Sequence, residues 1–431
     1  MKKVIEYCKS HKIIALTALL LASYFFGYIL LVLAYCFPVE AISDNIRKDY
    51  LSCVSVSAWI PGREDSEPDI FSDSVMLLEA EYPVNDSPFI VSIRSPRALL
   101  PDVTYVYETY LAYNESNDYV FYEYDYFRYW HGYLIFLKPL LAFFSLGTVK
   151  GLMFLVQFVL VNLFIYLVIK NNLSFKCALP MLLAYLFMNP VTLALSFQFN
   201  PVIVITLVSV ILLLFDYMNK RSINTFSWAF FFMIGVSTSY FDLLSFPLVS
   251  FGLPFVYYFM LYGQEQKSEF LKLFKLLLCW GSGYGLMWLG KWIASFLVFG
   301  KDALDDIIRS ISIRSGFDVS ESFSGDYMSY PAILIRNISV RKNVIILFCA
   351  VLLVLFLWII LKKKNGGHLF GVKDLVLLII SVLPFAWYFM MPNHSWIHYW
   401  FTFRNLSVSI CALTMMVISK FDIRDKVNEN I

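Results

Sequence analysis

The chain has 431 residues, of which 59% are hydrophobic, 18% aromatic and only 15% charged, with a formal net charge of +2. Soluble globular proteins carry about 25% charged residues, so this composition excludes a chain clothed for water. Near-balanced charge without basic tracts argues against a nucleic-acid partner, and seven cysteines with no CxxC pair argue against a disulfide scaffold or structural zinc site.

In chain order, Lys2, Lys3, Lys9 and Lys12 lead into an apolar run from Ile13 to Phe37. That run is about 24 residues long, whereas the h-region of a signal peptide is about 7–15, and the bulky Tyr35 before Cys36 suits no cleavage site. It reads as an uncleaved signal anchor. A polar stretch, 38–131, follows as a first large loop. Within it, Ser72 or Asp73 is placed to cap a short helix through Val75-Met76-Leu77-Leu78. The segments TYVYETYLAY and YVFYEYDYF flank NESND, a pattern that fits a hairpin or helix.

Residues 132–147 are apolar but short and contain Lys138-Pro139, which predicts an interfacial or re-entrant helix rather than a span. Further apolar runs lie near 148–169, 178–197, 202–218, 225–240, 243–261, 276–297, 344–361, 374–391 and 400–419. With the first, they predict about ten transmembrane helices. The stretch 298–343 forms a second large loop. The fold class expected is therefore all-α polytopic, one membrane domain over 1–431 with two large non-cytoplasmic loops.

Orientation follows from lysine and arginine in the short connections. With the N-terminus in the cytoplasm, Lys170, Lys176, Lys220, Arg221, Lys267, Lys272, Lys275, Lys362, Lys363, Lys364, Lys373 and Lys420 all fall inside. The C-terminus is then cytoplasmic too, in a multi-pass protein of the cell membrane.

So oriented, the chain gathers its reactive groups at the outer ends. The first loop carries Glu64, Asp65, Glu67, Asp69 and Asp73, and closes on Arg128-Tyr129-Trp130-His131. Asp242 follows the fifth span. Arg336, Arg341 and Lys342 close the second loop, and His394, His398 and Arg404 lie around the last outer turn. A carboxylate in an exposed loop is most often solvated, and aromatic residues near span ends most often form an interfacial belt. His394 and His398, at i and i+4, have no third metal ligand nearby in sequence, so no metal site is assigned. Arg404 and Asp242 sit at or near membrane depth, where ionisable groups are costly and tend to be paired or functional.

An anchor helix, an acidic outer loop, then many spans with short connections resembles the GT-C class of membrane glycosyltransferases. Arg128-Tyr129-Trp130-His131-Gly132-Tyr133 is also similar to runs in multi-pass proteins of bacterial surface-polysaccharide clusters. The resemblance implies transfer of a sugar from a polyprenyl-phosphate donor onto a cell-surface glycan or lipid acceptor, with membrane lipid and the lipid-linked sugar as partners. It places the catalytic carboxylate in the first outer loop, where Asp69-Ile70-Phe71-Ser72-Asp73 is the counterpart, Asp73 first and Asp69 second. Arg128, His131, Asp242, His394, His398 and Arg404 are the expected substrate contacts. Arg336, Arg341 and Lys342 are the expected phosphate contacts. Some members of the class use a divalent ion, so a metal at the carboxylates is an expectation of the resemblance and no cofactor is assigned. A transporter, flippase or polymerase for lipid-linked saccharides is the competing reading.

Overall fold

The computed structural model describes residues 10–54, 63–103, 105–115, 119–220, 223–316, 329–362 and 370–420. Helices dominate, and one short antiparallel ribbon pairs β1 (Arg97–Leu99) with β2 (Tyr122–Tyr124), Arg97 opposite Tyr124 and Leu99 opposite Tyr122.

Five helical stretches are long and apolar enough to cross a membrane: α1 (Lys12–Ala34), α7 (Leu146–Lys170), α10 (Asn200–Met218), α17 (Val372–Met390) and the stretch Tyr399–Ile418. A sixth is gained if α15 (Tyr330–Ser339) and α16 (Lys342–Lys362), bent by 89° at their junction, count as one. Ten such helices were expected, and the shortfall has identifiable causes. The run 178–197 is broken at Asn189, which adopts a left-handed φ of 67° before Pro190. A residue preceding proline is pushed out of the helical region, so one apolar run becomes α8 (Leu179–Phe187) and α9 (Pro190–Leu195). The runs 225–240 and 243–261 become α11 (Ser227–Phe241) and α12 (Leu248–Tyr262), 15 residues each and buried along most of their length. Hydropathy reads apolar content and not burial, so it does not separate such enclosed helices from long lipid-facing ones. The run 276–297 lies inside the 32-residue α13 (Ser268–Phe299).

The first loop folds over the ends of these helices. It contributes α2 (Val39–Arg47), α3 (Ile70–Glu81), α4 (Pro88–Arg94), the ribbon and α5 (Val106–Asn114). Asp69, rather than Ser72 or Asp73, is the N-cap of α3, its side chain accepting from the Ser72 N–H at 3.2 Å. Val106–Asn114, within the first aromatic segment, is helical, and Tyr122–Tyr124 of the second pairs with Arg97–Leu99; residues 104 and 116–118 lie outside the described residues. The 132–147 segment is the ten-residue α6 (Leu134–Phe143) with Pro139 inside it. Lys138 is buried, donates to the Ala80 carbonyl at 2.6 Å and lies over the Tyr35 ring. The second loop holds α14 (Lys301–Ser315) and α15.

Two buried apolar clusters organise the whole. One centres on α8, α10, α12, α17 and the C-terminal helix, and the other joins α1, α2, α3 and α6. The carboxylates of α3 lie against elements of both.

Candidate functional site

Asp69 and Asp73 are one turn apart on α3 and both are buried, with exposures of 2% and 1%. As N-cap and first-turn residues they face the positive end of the helix dipole, which stabilises carboxylates there. The Asp69 N–H donates to the Ser196 hydroxyl at 2.9 Å, and the Gln198 N–H donates to Asp73 Oδ1 at 3.2 Å. Residues 196–199 are the short turn between α9 and α10, and the interruption after Leu195 frees the Gln198 amide that holds Asp73. Asp73 Oδ2 is buried without a hydrogen-bond partner. Burial pushes the Asp73 carboxyl up to about 7, opposed by the nearby Lys150 ammonium and reinforced by Asp69. Burial likewise pushes Asp69 above the ordinary carboxylate range, with the Ser72, Arg404 and Trp400 donors pulling against it.

Lys150 is the missed member of this group. Its Nζ is buried without a hydrogen-bond partner and lies 5.7 Å from the Phe197 ring centroid. It occupies the first turns of α7, where helix N–H groups already carry positive charge. A buried cation there is tolerated beside an anion, and Asp73 is the carboxylate it acts on.

The remaining expected contacts divide into four groups. Asp242 is tied to Asp73 through Gln198, whose side-chain amide donates to Asp242 Oδ1 at 3.4 Å. Asp242 also accepts both the N–H and the hydroxyl of Ser245, at 2.9 Å and 2.5 Å, and burial raises it to about 7. It therefore closes a tight turn as well as bordering the site. Arg404, with 0% exposure, donates to the carbonyls of Met188 at 3.0 Å and Trp400 at 2.9 Å. Its guanidinium lies 4.2 Å from the Phe199 ring centroid and within electrostatic reach of Asp65, Asp69 and Arg341. It caps the broken end of α8 while neutralising the carboxylates.

His131 and Arg128 belong elsewhere. His131 Nδ1 lies 2.9 Å from the Glu79 carboxylate, and the ring contacts the Tyr133 hydroxyl and the Tyr126 carbonyl, each at 3.0 Å. This buried knot lies further along α3 than Asp73. Arg128 is held by Asp306 at 3.4 Å, by Ser310 and by Tyr124. Each is thus partnered by residues other than Asp69 and Asp73.

His394 and His398 pack with ring centroids 4.8 Å apart, and His394 Nε2 donates to the Leu244 carbonyl at 2.8 Å. Burial and the neighbouring Arg314 hold His398 down to about 3, and burial with His398 and Arg314 lowers His394 well below the usual range. Both rings are neutral at physiological pH, so they offer acceptors and apolar faces rather than positive charge for a phosphate. His398 stands 6.3 Å from the Phe71 ring on α3.

Arg336, Arg341 and Lys342 do converge. They line one polar cavity of about 670 Å³ with Arg63, Asp65 and Tyr399. Asp65, expected to be merely solvated, is 2% exposed and ion-paired to Arg341 at 2.8 Å and Arg63 at 3.0 Å. Its placement is fixed from the other side by Asn189, which donates to the Asp65 carbonyl at 3.1 Å.

Met76 of α3 and Phe197, the ring beside Lys150, help line an apolar groove of about 320 Å³ with Tyr133, Phe136, Leu140, Met153, Val204, Val208 and Phe241. Phe136 and Val208 expose their side chains at its surface.

Among the described residues no group of three or more His, Cys, Asp or Glu side chains could hold a metal ion. The Asp69–Asp73 pair is instead flanked by Arg404 and Lys150. The donor set does not fit a resident divalent ion, and no chemistry is assigned to one. Comparison with protein-family models, characterised proteins and solved structures finds no match for the chain.

Proposed function

We propose that this protein is a membrane glycosyltransferase of the GT-C kind, taking a sugar from a polyprenyl-phosphate donor and passing it to an acceptor hydroxyl on the non-cytoplasmic face. The observation that carries the reading is a pair of buried carboxylates, one holding a free oxygen, beside a buried unpaired lysine and an apolar groove. A lipid-linked sugar has those three parts: an apolar tail, a phosphate and a reacting carbon.

In this reading the tail lies in the groove between α6, α7 and α10. The donor phosphate sits at Lys150, where the ammonium and the N-terminal turn of α7 act together. Asp73 Oδ2 takes the acceptor's proton as its oxygen attacks the anomeric carbon; the bond from that carbon to the phosphate oxygen breaks. The electron pair leaves with the phosphate, where Lys150 stabilises the growing charge. A carboxyl titrating at about 7 suits this work, because a general base is most effective when poised near the working pH. The orientation proposed with it has ten crossings, both termini cytoplasmic, and the loops 38–131 and 298–343 outside.

The test is incorporation of labelled sugar by membranes supplied with polyprenyl-linked donor. Wild type should transfer, and Asp73→Asn at matched abundance should fall about 10²- to 10⁴-fold, the usual contribution of a general base. Undiminished transfer by Asp73→Asn rejects that residue as the base. Movement of intact lipid-linked saccharide across vesicles, with no transfer, would favour a flippase instead.

A further inference from the structure

The basic cavity at the α15–α16 elbow is distinct in lining from the apolar groove. Four cationic side chains, Arg63, Arg336, Arg341 and Lys342, face it against one carboxylate, Asp65, a net charge of +3. Of these four cations, Asp65 ion-pairs with Arg63 and Arg341. Arg336 is held instead by aromatic stacking, its guanidinium 4.3 Å from the Trp396 ring centroid and 4.2 Å from that of Tyr399. Stacking fixes the plane of a guanidinium while leaving its N–H fork available for an oxyanion. Concentrating like charges around about 670 Å³ of space costs folding free energy unless an anion occupies it.

The cavity also has a physical link to the reacting carboxylates. Arg341 and Asp65 both act electrostatically on Arg404, which in turn acts on Asp69. The 89° bend between α15 and the apolar, largely exposed α16 places it where a membrane-embedded molecule can approach from the side.

We propose that this cavity binds a phosphate or pyrophosphate group other than the donor phosphate assigned to Lys150. The group is carried either by the second substrate, an acceptor built on a phosphorylated carrier, or by an anionic membrane lipid. The substrate assignment rests on the transferase reading; the phosphate site itself does not. A dianion or trianion matches the charge of the cavity, and three arginines supply the paired donors that tetrahedral phosphate oxygens take.

The experiment uses the purified full-length protein with inorganic pyrophosphate as the probe, followed by calorimetry near neutral pH and low salt. Saturable binding is expected, weakened about tenfold or more by Arg336→Gln and by Lys342→Gln. Lys342 is exposed, so its variant keeps the fold if the stacking of Arg336 proves structural. In a second arm, protein reconstituted with phosphatidylglycerol is released and weighed intact. Retained phosphatidylglycerol, lost in Lys342→Gln, with no pyrophosphate binding assigns the cavity to the lipid headgroup. Pyrophosphate binding without retained lipid assigns it to a substrate phosphate. Absence of both ligands from wild type, or unaltered binding in both cavity variants, overturns the site. Asp73→Asn should bind pyrophosphate normally, so loss of the transferase reading and loss of this site are separate results.

Discussion

The backbone N–H of Gln198 donates to Oδ1 of Asp73 across 3.2 Å, joining residues 125 positions apart in the chain. A loop helix and the mouth of a broken helical hairpin are locked together at that bond. It fixes one carboxylate oxygen and leaves the other free, and the functional expectations follow from that arrangement.

The first concerns pH. Burial holds Asp73 at about 7 against an ordinary value of 3.8, so the carboxylate is the minority form below neutrality. Transfer should therefore rise with pH through about 7. The sign for stability is opposite. A neutral buried carboxyl supports folding fully below the unfolded value near 3.8, and that contribution is lost as pH rises through about 7. Relative to wild type, Asp73→Asn should gain stability between those limits and level off above them. Thermal unfolding across pH, with Asp242→Asn measured in parallel because Asp242 also titrates at about 7, reads this out. A pH-independent difference between wild type and Asp73→Asn would show that the carboxyl is not held neutral.

Asp69 is expected to matter first as a cap. Asp69→Ala removes the acceptor for the Ser72 N–H at the start of α3, and an N-cap loss typically costs about 0.5–2 kcal/mol. Asp69→Ser should recover most of the thermal stability. If Ser restores stability but not transfer, the carboxylate charge at 69 has a chemical role beyond capping.

Arg404 should behave as a structural cation. Arg404→Ala leaves the Met188 and Trp400 carbonyls unpaired in the interior, and each hydrogen bond to a charged donor is worth about 1.5–3 kcal/mol. The expected result is sharply reduced folded protein on size exclusion, with Arg404→Lys intermediate. A well-folded Arg404→Ala with a raised KM for donor would return this residue to the substrate contacts expected from sequence.

Helix packing offers a test independent of function. At Gly283 an added Cβ would lie 3.0 Å from the Phe232 carbonyl carbon, and at Gly235 it would lie 2.9 Å from the Tyr284 nitrogen. Nothing lies within 4 Å of a Cβ at Gly281. Close backbone contact between α11 and α13 is the familiar use of small residues in membrane helices. Gly283→Leu should collapse the yield of folded protein, whereas Gly281→Leu should be tolerated. Equal tolerance at the two positions would refute the crossing.

Orientation is tested by reporter fusions. Positions 170, 220 and the C-terminus should report cytoplasm, and Asn114 and Ser320 the opposite side. An outside signal at 220 would invert the proposed topology and move the carboxylates to the cytoplasm.

By itself the sequence determined what depends on composition and local pattern. Charge scarcity and long apolar runs specify a helical membrane protein, because hydrocarbon accepts only chains that satisfy their own backbone. The acidic loop, the α3 carboxylates and the basic trio at 336–342 were legible because polar residues stand out in an apolar chain. Other properties required the tertiary structure. Hydropathy cannot distinguish a lipid-facing helix from one buried among others, so it did not show that α11 and α12 are short and enclosed. Nor could it reveal that Asp65 is paired rather than solvated, since Arg341 lies 276 residues away. Lys150 and Gln198 gained their places beside Asp73 only when the turn between α9 and α10 and the first turns of α7 came together. Arg128 and His131, adjacent in the chain to so many aromatic residues, were claimed by Asp306 and Glu79 instead. The physical reason is common to all of these: which buried charges share a partner depends on contacts between distant segments, and no local periodicity encodes them.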